Sequence, residues 1–185
     1  TISEEKVLSV LKKRNKWYDA LCVTGGEPTL HEELPEFLKR VKELNLLIKV
    51  DTNGTKPDML KELIKKKLID YIAMDIKAPF YKYDTVTQVM TDIEHLKESI
   101  KIIRESSIDF EFRTTVIPFF HNKKDLIEIG KMLKGSKRYV LQQFRNNRKM
   151  LNDSFKNKKP YPVEKLKEFK KILEPYFEEV QIKNI

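Results

Sequence analysis

A short turn, Thr24-Gly25-Gly26-Glu27-Pro28, has residue types that can hold a small charged ligand. It follows an apolar run and precedes an amphipathic pattern, which predicts the end of a buried strand and then a helix. Two adjacent glycines leave backbone carbonyls and amides uncovered, and Glu27 adds a carboxylate, so the turn could bind an ammonium group. Taken alone, the same residues are equally compatible with an ordinary strand-to-helix turn.

Each of the later predicted strands has polar side chains at its carboxyl end. They are Asp51, Thr52 and Asn53; Asp75 and Lys77; Arg113; and Gln143 with Arg145. Parallel strands bring their carboxyl ends to one edge of a sheet, where barrels of alternating strands and helices build their sites. Charged groups gathered there oppose each other's burial unless something bound compensates. The pattern therefore predicts a binding site at this edge.

Strand and helix patterns alternate along all 185 residues, with no linker and no strong internal repeat. Short apolar runs in such an alternation indicate a parallel sheet covered by helices, so we predict one α/β domain over residues 1–185. A doubly wound sheet also fits the alternation, but the polar strand ends favour a barrel or part of one. We further expect a first helix from Ser3 to about Lys16, an irregular loop at 78–90, and a helix that begins at Thr91.

The composition is that of a highly charged protein, with 35% charged residues and a net charge of +9. Most basic residues alternate with glutamates at helical spacings, which favours a solvated surface and argues against a nucleic-acid partner. A local basic excess remains between Arg145 and Lys159. This segment, called the basic loop below, is either simply solvated or the entry for a protein partner.

The sequence contains a single cysteine, Cys22, so an internal disulfide is impossible and a reducing cytoplasm fits. Because Cys22 lies inside an apolar run, we expect a buried structural thiol. No apolar run approaches the roughly 20 residues of a membrane span.

Five blocks in order make the sequence resemble radical S-adenosylmethionine (SAM) enzymes, and more narrowly those that activate glycyl-radical enzymes. The blocks are residues 24–28, 51–55, 73–77, 112–116 and 141–146. The likeness covers nearly the whole chain. It implies a partial, TIM-like (β/α)6 barrel that lacks its first strand and its cysteine loop.

The resemblance also implies roles for the strand-end residues. Cofactor binding is expected of Gly25, Gly26, Glu27, Pro28, Thr52, Asn53, Lys77, Arg113, Gln143 and Arg145. The glycine turn would bind the methionyl amine, whereas Asn53 and Lys77 would lie near the methionyl carboxylate or the ribose. Asp51, Thr52 and Asp75 match positions that surround a monovalent cation in the pyruvate formate-lyase activator. Arg145 stands where that activator has a histidine.

The cysteines of the family are absent from this sequence. Radical SAM enzymes hold a [4Fe–4S] cluster through three cysteines spaced Cys-x3-Cys-x2-Cys before the glycine turn. Because the chain opens with Thr1 rather than Met, we expect a missing N-terminal segment that carries the cluster ligands and the first strand. The strand before the turn would then have an open edge. No catalytic residue is assigned to this chain, which should be inactive as it stands.

The resemblance implies an anaerobic oxidoreductase that, when intact, reduces SAM to a 5′-deoxyadenosyl radical and installs a glycyl radical on a partner. The partner would be a glycyl-radical enzyme such as anaerobic ribonucleotide reductase or pyruvate formate-lyase, with flavodoxin or ferredoxin as electron donor. Two alternatives stay open. One is a radical SAM enzyme acting on a small molecule or an RNA base, and the other is a cluster-free relative that binds SAM or nucleic acid. Steep salt dependence would mark nucleic-acid binding.

Overall fold

The computed structural model describes residues 2–145 and 158–185, and within them six parallel strands form one open sheet in chain order. The strands are β1 (Ala20–Val23), β2 (Leu47–Thr52), β3 (Tyr71–Asp75), β4 (Asp109–Val116), β5 (Ser136–Gln143) and β6 (Phe177–Lys183). Helices alternate with these strands, so the predicted α/β class is confirmed. The chain divides into two compact units, Thr1–Met74 with Asp92–Phe110 and Asp75–Thr91 with Glu111–Ile185. The single domain expected over residues 1–185 stays a prediction.

Seven α-helices lie in the described part of the chain. They are α1 (Glu4–Lys13), α2 (Leu34–Lys42), α3 (Pro57–Lys65), α4 (Tyr83–Thr87), α5 (Ile93–Glu105), α6 (Lys123–Met132) and α7 (Val163–Leu173). Ser3 caps α1, Asp92 caps α5, and Asn122 with Asp125 forms a reciprocal capping box at α6. Proline occupies the first turn of α2 and α3, where no intrahelical amide is lost.

The first unit contains β1, β2 and most of β3 together with α1, α2, α3 and α5; α2 contacts β2, and α3 packs against α5. Along β2, Ile48, Val50 and Thr52 are buried, whereas Lys49 and Asp51 are half-buried on the opposite face. This alternation follows from the two-residue period of a strand. It places the apolar side chains against the helices and leaves the other face for polar groups.

The second unit is built on β4, β5 and β6, which pair in parallel with Phe112 opposite Tyr139 and Ser136 opposite Phe177. The Tyr139 and Phe177 rings stack at a centroid distance of 4.6 Å. The buried Tyr139 hydroxyl lies 2.6 Å from the Thr114 hydroxyl, so its polar end is satisfied inside the core. This packing holds the carboxyl ends of β4 and β5 in fixed register.

Several sequence expectations about local structure are wrong. Helix α1 ends at Lys13, and a 3-10 turn over Asn15–Trp17 follows. The segment expected to be an irregular loop contains α4, whose C-cap, Gln88, adopts the left-handed conformation. The cap of α5 is Asp92 and not Thr91, because the Asp92 carboxylate accepts from two backbone amides of the first turn.

Cys22 is exposed, which contradicts the expected buried thiol. The reason lies in the position of β1, which is the first strand in the sheet order and pairs with β2. An apolar groove of about 390 Å³ runs beside β1, lined partly by Val7, Val10 and Leu21. Within the described residues β1 is an edge strand of the sheet, in agreement with the open edge expected for it. Among the described residues, no helix is both long and apolar enough to cross a membrane.

Candidate functional site

The glycine turn after β1 presents uncovered backbone. Gly25 has φ +143°, a conformation that residues with a side chain rarely adopt. Apart from the adjoining residues of the chain, no atom lies within 4 Å of a Cβ placed on Gly25 or Gly26. Backbone carbonyls and amides in such a turn remain open to a ligand. A cavity of about 270 Å³ lies beside the turn, and its lining includes Val23, Thr24, Gly26 and Glu27.

Glu27 is buried, with 7% of its surface exposed, and its carboxylate closes the turn from within the first unit. Its Oε1 accepts from the Thr29 hydroxyl at 2.6 Å, the Thr29 amide at 3.2 Å and the Thr52 hydroxyl at 2.8 Å. Its Oε2 accepts from the Asn53 amide at 2.6 Å. The side chain therefore ties the end of β1 to the end of β2. This leaves the backbone of the turn, more than the carboxylate, to meet a ligand.

The other predicted residues of the first unit are engaged in local bonds at the end of β2. Asn53 Oδ1 accepts from the amide and the hydroxyl of Thr55, at 2.9 and 2.8 Å, which closes a tight turn. The Lys49 ammonium lies 3.3 Å from Asp51 Oδ1. Pro28 is buried and begins a short 3-10 turn. Thr52 and Asn53 are thus brought to Glu27, as a strand-end site requires.

The second unit gathers Asp75, Lys77 and Arg113 into one ion cluster at the ends of β3 and β4. The Lys77 ammonium lies 2.6 Å from Asp75 Oδ2, and Arg113 Nε donates to Asp75 Oδ1. Burial raises the pKa of Asp75, but the two cations outweigh it and hold the pKa below its usual 3.8. With two cations on one carboxylate, the cluster carries a net charge of +1. It is suited to an anionic group of a ligand.

Asp75 already has a cationic side chain on each oxygen, so its charge is balanced without a bound metal ion. Among the described residues, no group of three or more His, Cys, Asp or Glu side chains is arranged to hold a metal. The monovalent cation expected at Asp51, Thr52 and Asp75 stays a prediction.

Two residues that the sequence did not single out bond the backbone of Lys77. The Tyr83 hydroxyl accepts from the Lys77 amide at 3.2 Å, and His121 Nε2 lies 2.7 Å from the Lys77 carbonyl oxygen. Both side chains are buried, and burial raises the pKa of Tyr83 to about 12. Because 44 residues separate His121 from Lys77, no local motif or periodicity could have revealed the pair.

Gln143 and Arg145 are held by other partners at the ends of β5 and β6. The Gln143 amide donates to the Tyr161 carbonyl at 2.6 Å, and Arg145 Nε donates to the Asn184 carbonyl at 3.1 Å. Within the described part of the chain, the buried Gln143 Oε1 has no hydrogen-bond partner. The basic loop falls mostly on residues 146–157, outside the described residues, so its expected role stays a prediction.

Phe119 occupies a strained position in the turn that follows β4. It has φ +86° and 67% of its surface is exposed, so core packing does not compensate the strain. The turn closes because the His121 amide donates to the Ile117 carbonyl at 2.9 Å. The Lys158 ammonium lies 4.2 Å from the centre of the Phe119 ring.

We expect Phe119→Gly to be more stable than Phe119→Ala by about 0.5–1 kcal/mol, since only glycine adopts this conformation without strain. Both variants lose the ring and its contact with Lys158, so the comparison isolates the backbone. Urea unfolding of the two proteins measures the difference. Equal midpoints would show that the turn relaxes and that residue 119 is not strained.

The comparisons with known proteins agree with the fold. The family model described as the radical SAM superfamily matches residues 1–133. A domain of a pyruvate-formate lyase-activating enzyme from Bacteroides vulgatus has a TM-score of 0.71 and 18% identity, over 89% of this chain and 99% of that domain. The chain belongs to the radical SAM superfamily, a family of enzymes.

Two relatives come from Methanocaldococcus jannaschii, and each is named as a glycyl-radical enzyme activating enzyme. One is 39% identical over 173 residues, which cover 90% of this chain and 71% of that protein. The other is 31% identical over 141 residues, 71% of this chain and 51% of that protein. The chain thus spans between half and three quarters of the length of these curated relatives.

Family membership implies SAM and an iron–sulfur cluster as cofactors, and the residues fit these two groups differently. The uncovered glycine turn of the first unit suits an ammonium such as the one SAM carries, and the Asp75 cluster, taken separately within the second unit, suits an anionic group. A cluster needs several thiolates, and the sequence contains one cysteine. The residues of this chain therefore do not supply the ligands of a cluster.

Proposed function

We propose that this chain is the SAM-binding part of a radical SAM activating enzyme that acts on a glycyl-radical enzyme. The observation that carries the proposal is the open backbone of Gly25 and Gly26, held in place by the buried Glu27 carboxylate. Carbonyl oxygens of such a turn accept from an ammonium without any side-chain rearrangement. The identity of the two relatives from Methanocaldococcus jannaschii supports the choice of partner.

The second unit supports the proposal independently. The +1 cluster of Asp75, Lys77 and Arg113 attracts a carboxylate such as the one that SAM carries. Asp75 holds both cations in place before any ligand arrives, which lowers the ordering cost of binding. In this role Asp75 orients the cations, and Lys77 and Arg113 donate to the ligand.

In radical SAM enzymes the bound cofactors supply the radical chemistry, and the protein supplies binding, orientation and exclusion of water. For this chain we assign a binding role to the glycine turn within the first unit and, separately, the orientation of two cations for an anionic group to the Asp75 cluster within the second. The partner glycyl-radical enzyme and a flavodoxin or ferredoxin as electron donor belong to the same proposal.

The direct test is Gly26→Ala, with Gly54→Ala as its matched control. An added Cβ meets nothing at Gly26, so we expect unfolding to change by no more than about 0.5 kcal/mol. The methyl group covers the backbone that the ligand needs, and we expect SAM affinity by calorimetric titration to fall at least about tenfold.

Gly54→Ala shows what an added methyl group does to the stability of the fold, rather than to ligand binding. Gly54 has φ +77°, and a Cβ there would lie 2.0 Å from the Met74 methyl carbon, so we expect a loss of about 1–2 kcal/mol in stability. Wild-type affinity for SAM in Gly26→Ala would contradict the assigned turn. No binding by the wild type at millimolar SAM would contradict the proposed function itself.

A further inference from the structure

Lys77 lies two residues beyond the end of β3, and two buried side chains of the second unit form hydrogen bonds with its backbone. The Tyr83 hydroxyl of α4 accepts from its amide at 3.2 Å. On the other side of the residue, His121 Nε2 lies 2.7 Å from its carbonyl oxygen. The two peptide planes that flank the Lys77 Cα are therefore both anchored.

The partners of His121 determine which ring nitrogen carries the proton. Nδ1 accepts from the Ile117 amide at 3.0 Å, and a carbonyl oxygen only accepts, so Nε2–H must donate to Lys77. His121 is 2% exposed. Burial lowers its pKa, against the opposing effect of the bonds to Lys77 and Ile117, which favours the neutral ring that this arrangement requires.

His121 also connects Lys77 to neighbouring strand ends. Its carbonyl oxygen accepts from the Tyr161 hydroxyl at 2.8 Å. The carbonyl of Tyr161 in turn accepts from the Gln143 amide at 2.6 Å. One residue thus joins the ends of β3 and β4 directly and the end of β5 through Tyr161.

We propose that His121 and Tyr83 are positioning residues that fix the backbone of Lys77 and so aim its ammonium group at Asp75 and at an anionic ligand. A peptide plane is rigid, so holding the amide and the carbonyl of one residue fixes the direction of its Cβ. The Lys77 side chain then samples fewer rotamers before its ammonium reaches Asp75 Oδ2, from which it lies 2.6 Å away. For the ligand, this inference rests on the proposed binding of SAM.

Two substitutions separate the two bonds of His121. In His121→Gln the side-chain NH2 group lies near the position of Nε2. The hydrogen bond to Lys77 can therefore form, while the bond to Ile117 is lost. The variant His121→Asn keeps an acceptor near Nδ1 and loses the bond to Lys77. We expect both variants to lose stability, because each removes one bond of a buried group.

The first readout is the dissociation constant for SAM by calorimetric titration. We expect a rise of about tenfold in His121→Asn and less than about threefold in His121→Gln, with Tyr83→Phe behaving like His121→Asn. A purely structural role of His121 would instead make the affinity follow the stability of each variant. Equal affinities of the Asn and Gln variants would overturn the inference.

The second readout needs no ligand and therefore separates this inference from the proposed function. Reductive methylation followed by mass spectrometry measures how fast each lysine amine reacts. The internal reference is Lys66, the C-cap of α3, whose side-chain nitrogen lies 2.6 Å from Glu62. We expect Lys77 to react faster in His121→Asn and at the wild-type rate in His121→Gln. If the rate at Lys77 is the same in all proteins, His121 does not position it, whether or not SAM binds.

Discussion

Replacing Glu27 with alanine is expected to lower the free energy of unfolding by about 3 kcal/mol, the largest single effect we predict for the first unit. The substitution removes four hydrogen bonds and leaves the buried donors of Thr29 and Thr52 without their acceptor. The end of β1 is then no longer tied to the end of β2. Urea unfolding at neutral pH measures the loss, and calorimetric titration should show no remaining SAM binding.

Two further variants serve as controls for this result. Glu32→Ala removes an exposed carboxylate from the same region and should change stability by less than about 0.5 kcal/mol. Glu27→Gln preserves the shape but turns an NH2 group toward donors, so it should lose nearly as much as the alanine variant. A Glu27→Ala protein with the wild-type urea midpoint would show that the carboxylate does not hold the turn.

For the second unit, Asp75→Asn should lower stability at pH 7 by about 2 kcal/mol, since two cations lose the charge that balances them. The cost is largest for Arg113, because its side chain is only 12% exposed and water cannot replace the lost carboxylate. The affinity for SAM should fall as well, because Asp75 no longer holds Lys77 and Arg113 in place for the ligand. Asp19→Asn, an exposed carboxylate outside the cluster, is the control and should behave like the wild type.

The pH dependence of this difference has a definite sign. The pKa of Asp75 lies below the usual 3.8 in the folded protein, so its contribution is complete above that value and is lost as the pH falls through the folded pKa. The gap in stability between wild type and Asp75→Asn should therefore be full at pH 7 and shrink below about pH 4. A gap that is constant from pH 7 to pH 3 would show that the charge of Asp75 is not what stabilises the cluster.

Much of the fold followed from local patterns. The alternation of strands and helices was predicted from apolar runs and their period, and the start of the first helix from Ser3. Basic residues alternate with glutamates at helical spacings, and the ion pair of Glu62 with Lys66 is one example. The errors occurred where two local signals were similar in strength. Thr91 and the adjacent Asp92 are both good N-cap residues, and the structure uses Asp92.

The grouping of polar side chains at strand ends could be predicted by position, but their hydrogen bonds could not. Parallel strands place Asp75, Lys77 and Arg113 at one edge, and their opposite charges made a cluster foreseeable. The sequence could not show that the Glu27 carboxylate turns inward, because its bond to Thr52 spans 25 residues. Nothing in the local pattern marks His121 or Tyr83, since a buried histidine or tyrosine usually serves the core. Their role depends on tertiary distances that no periodicity encodes.

The exposed thiol of Cys22 offers a practical consequence for studying this protein in solution. The sequence has one cysteine, which lies on β1 three residues before Gly25, so a maleimide dye would attach at a single known position. Its emission would report on the surroundings of the glycine turn without any engineered mutation. Ligand titrations could then be followed optically, at concentrations far below those that calorimetry requires.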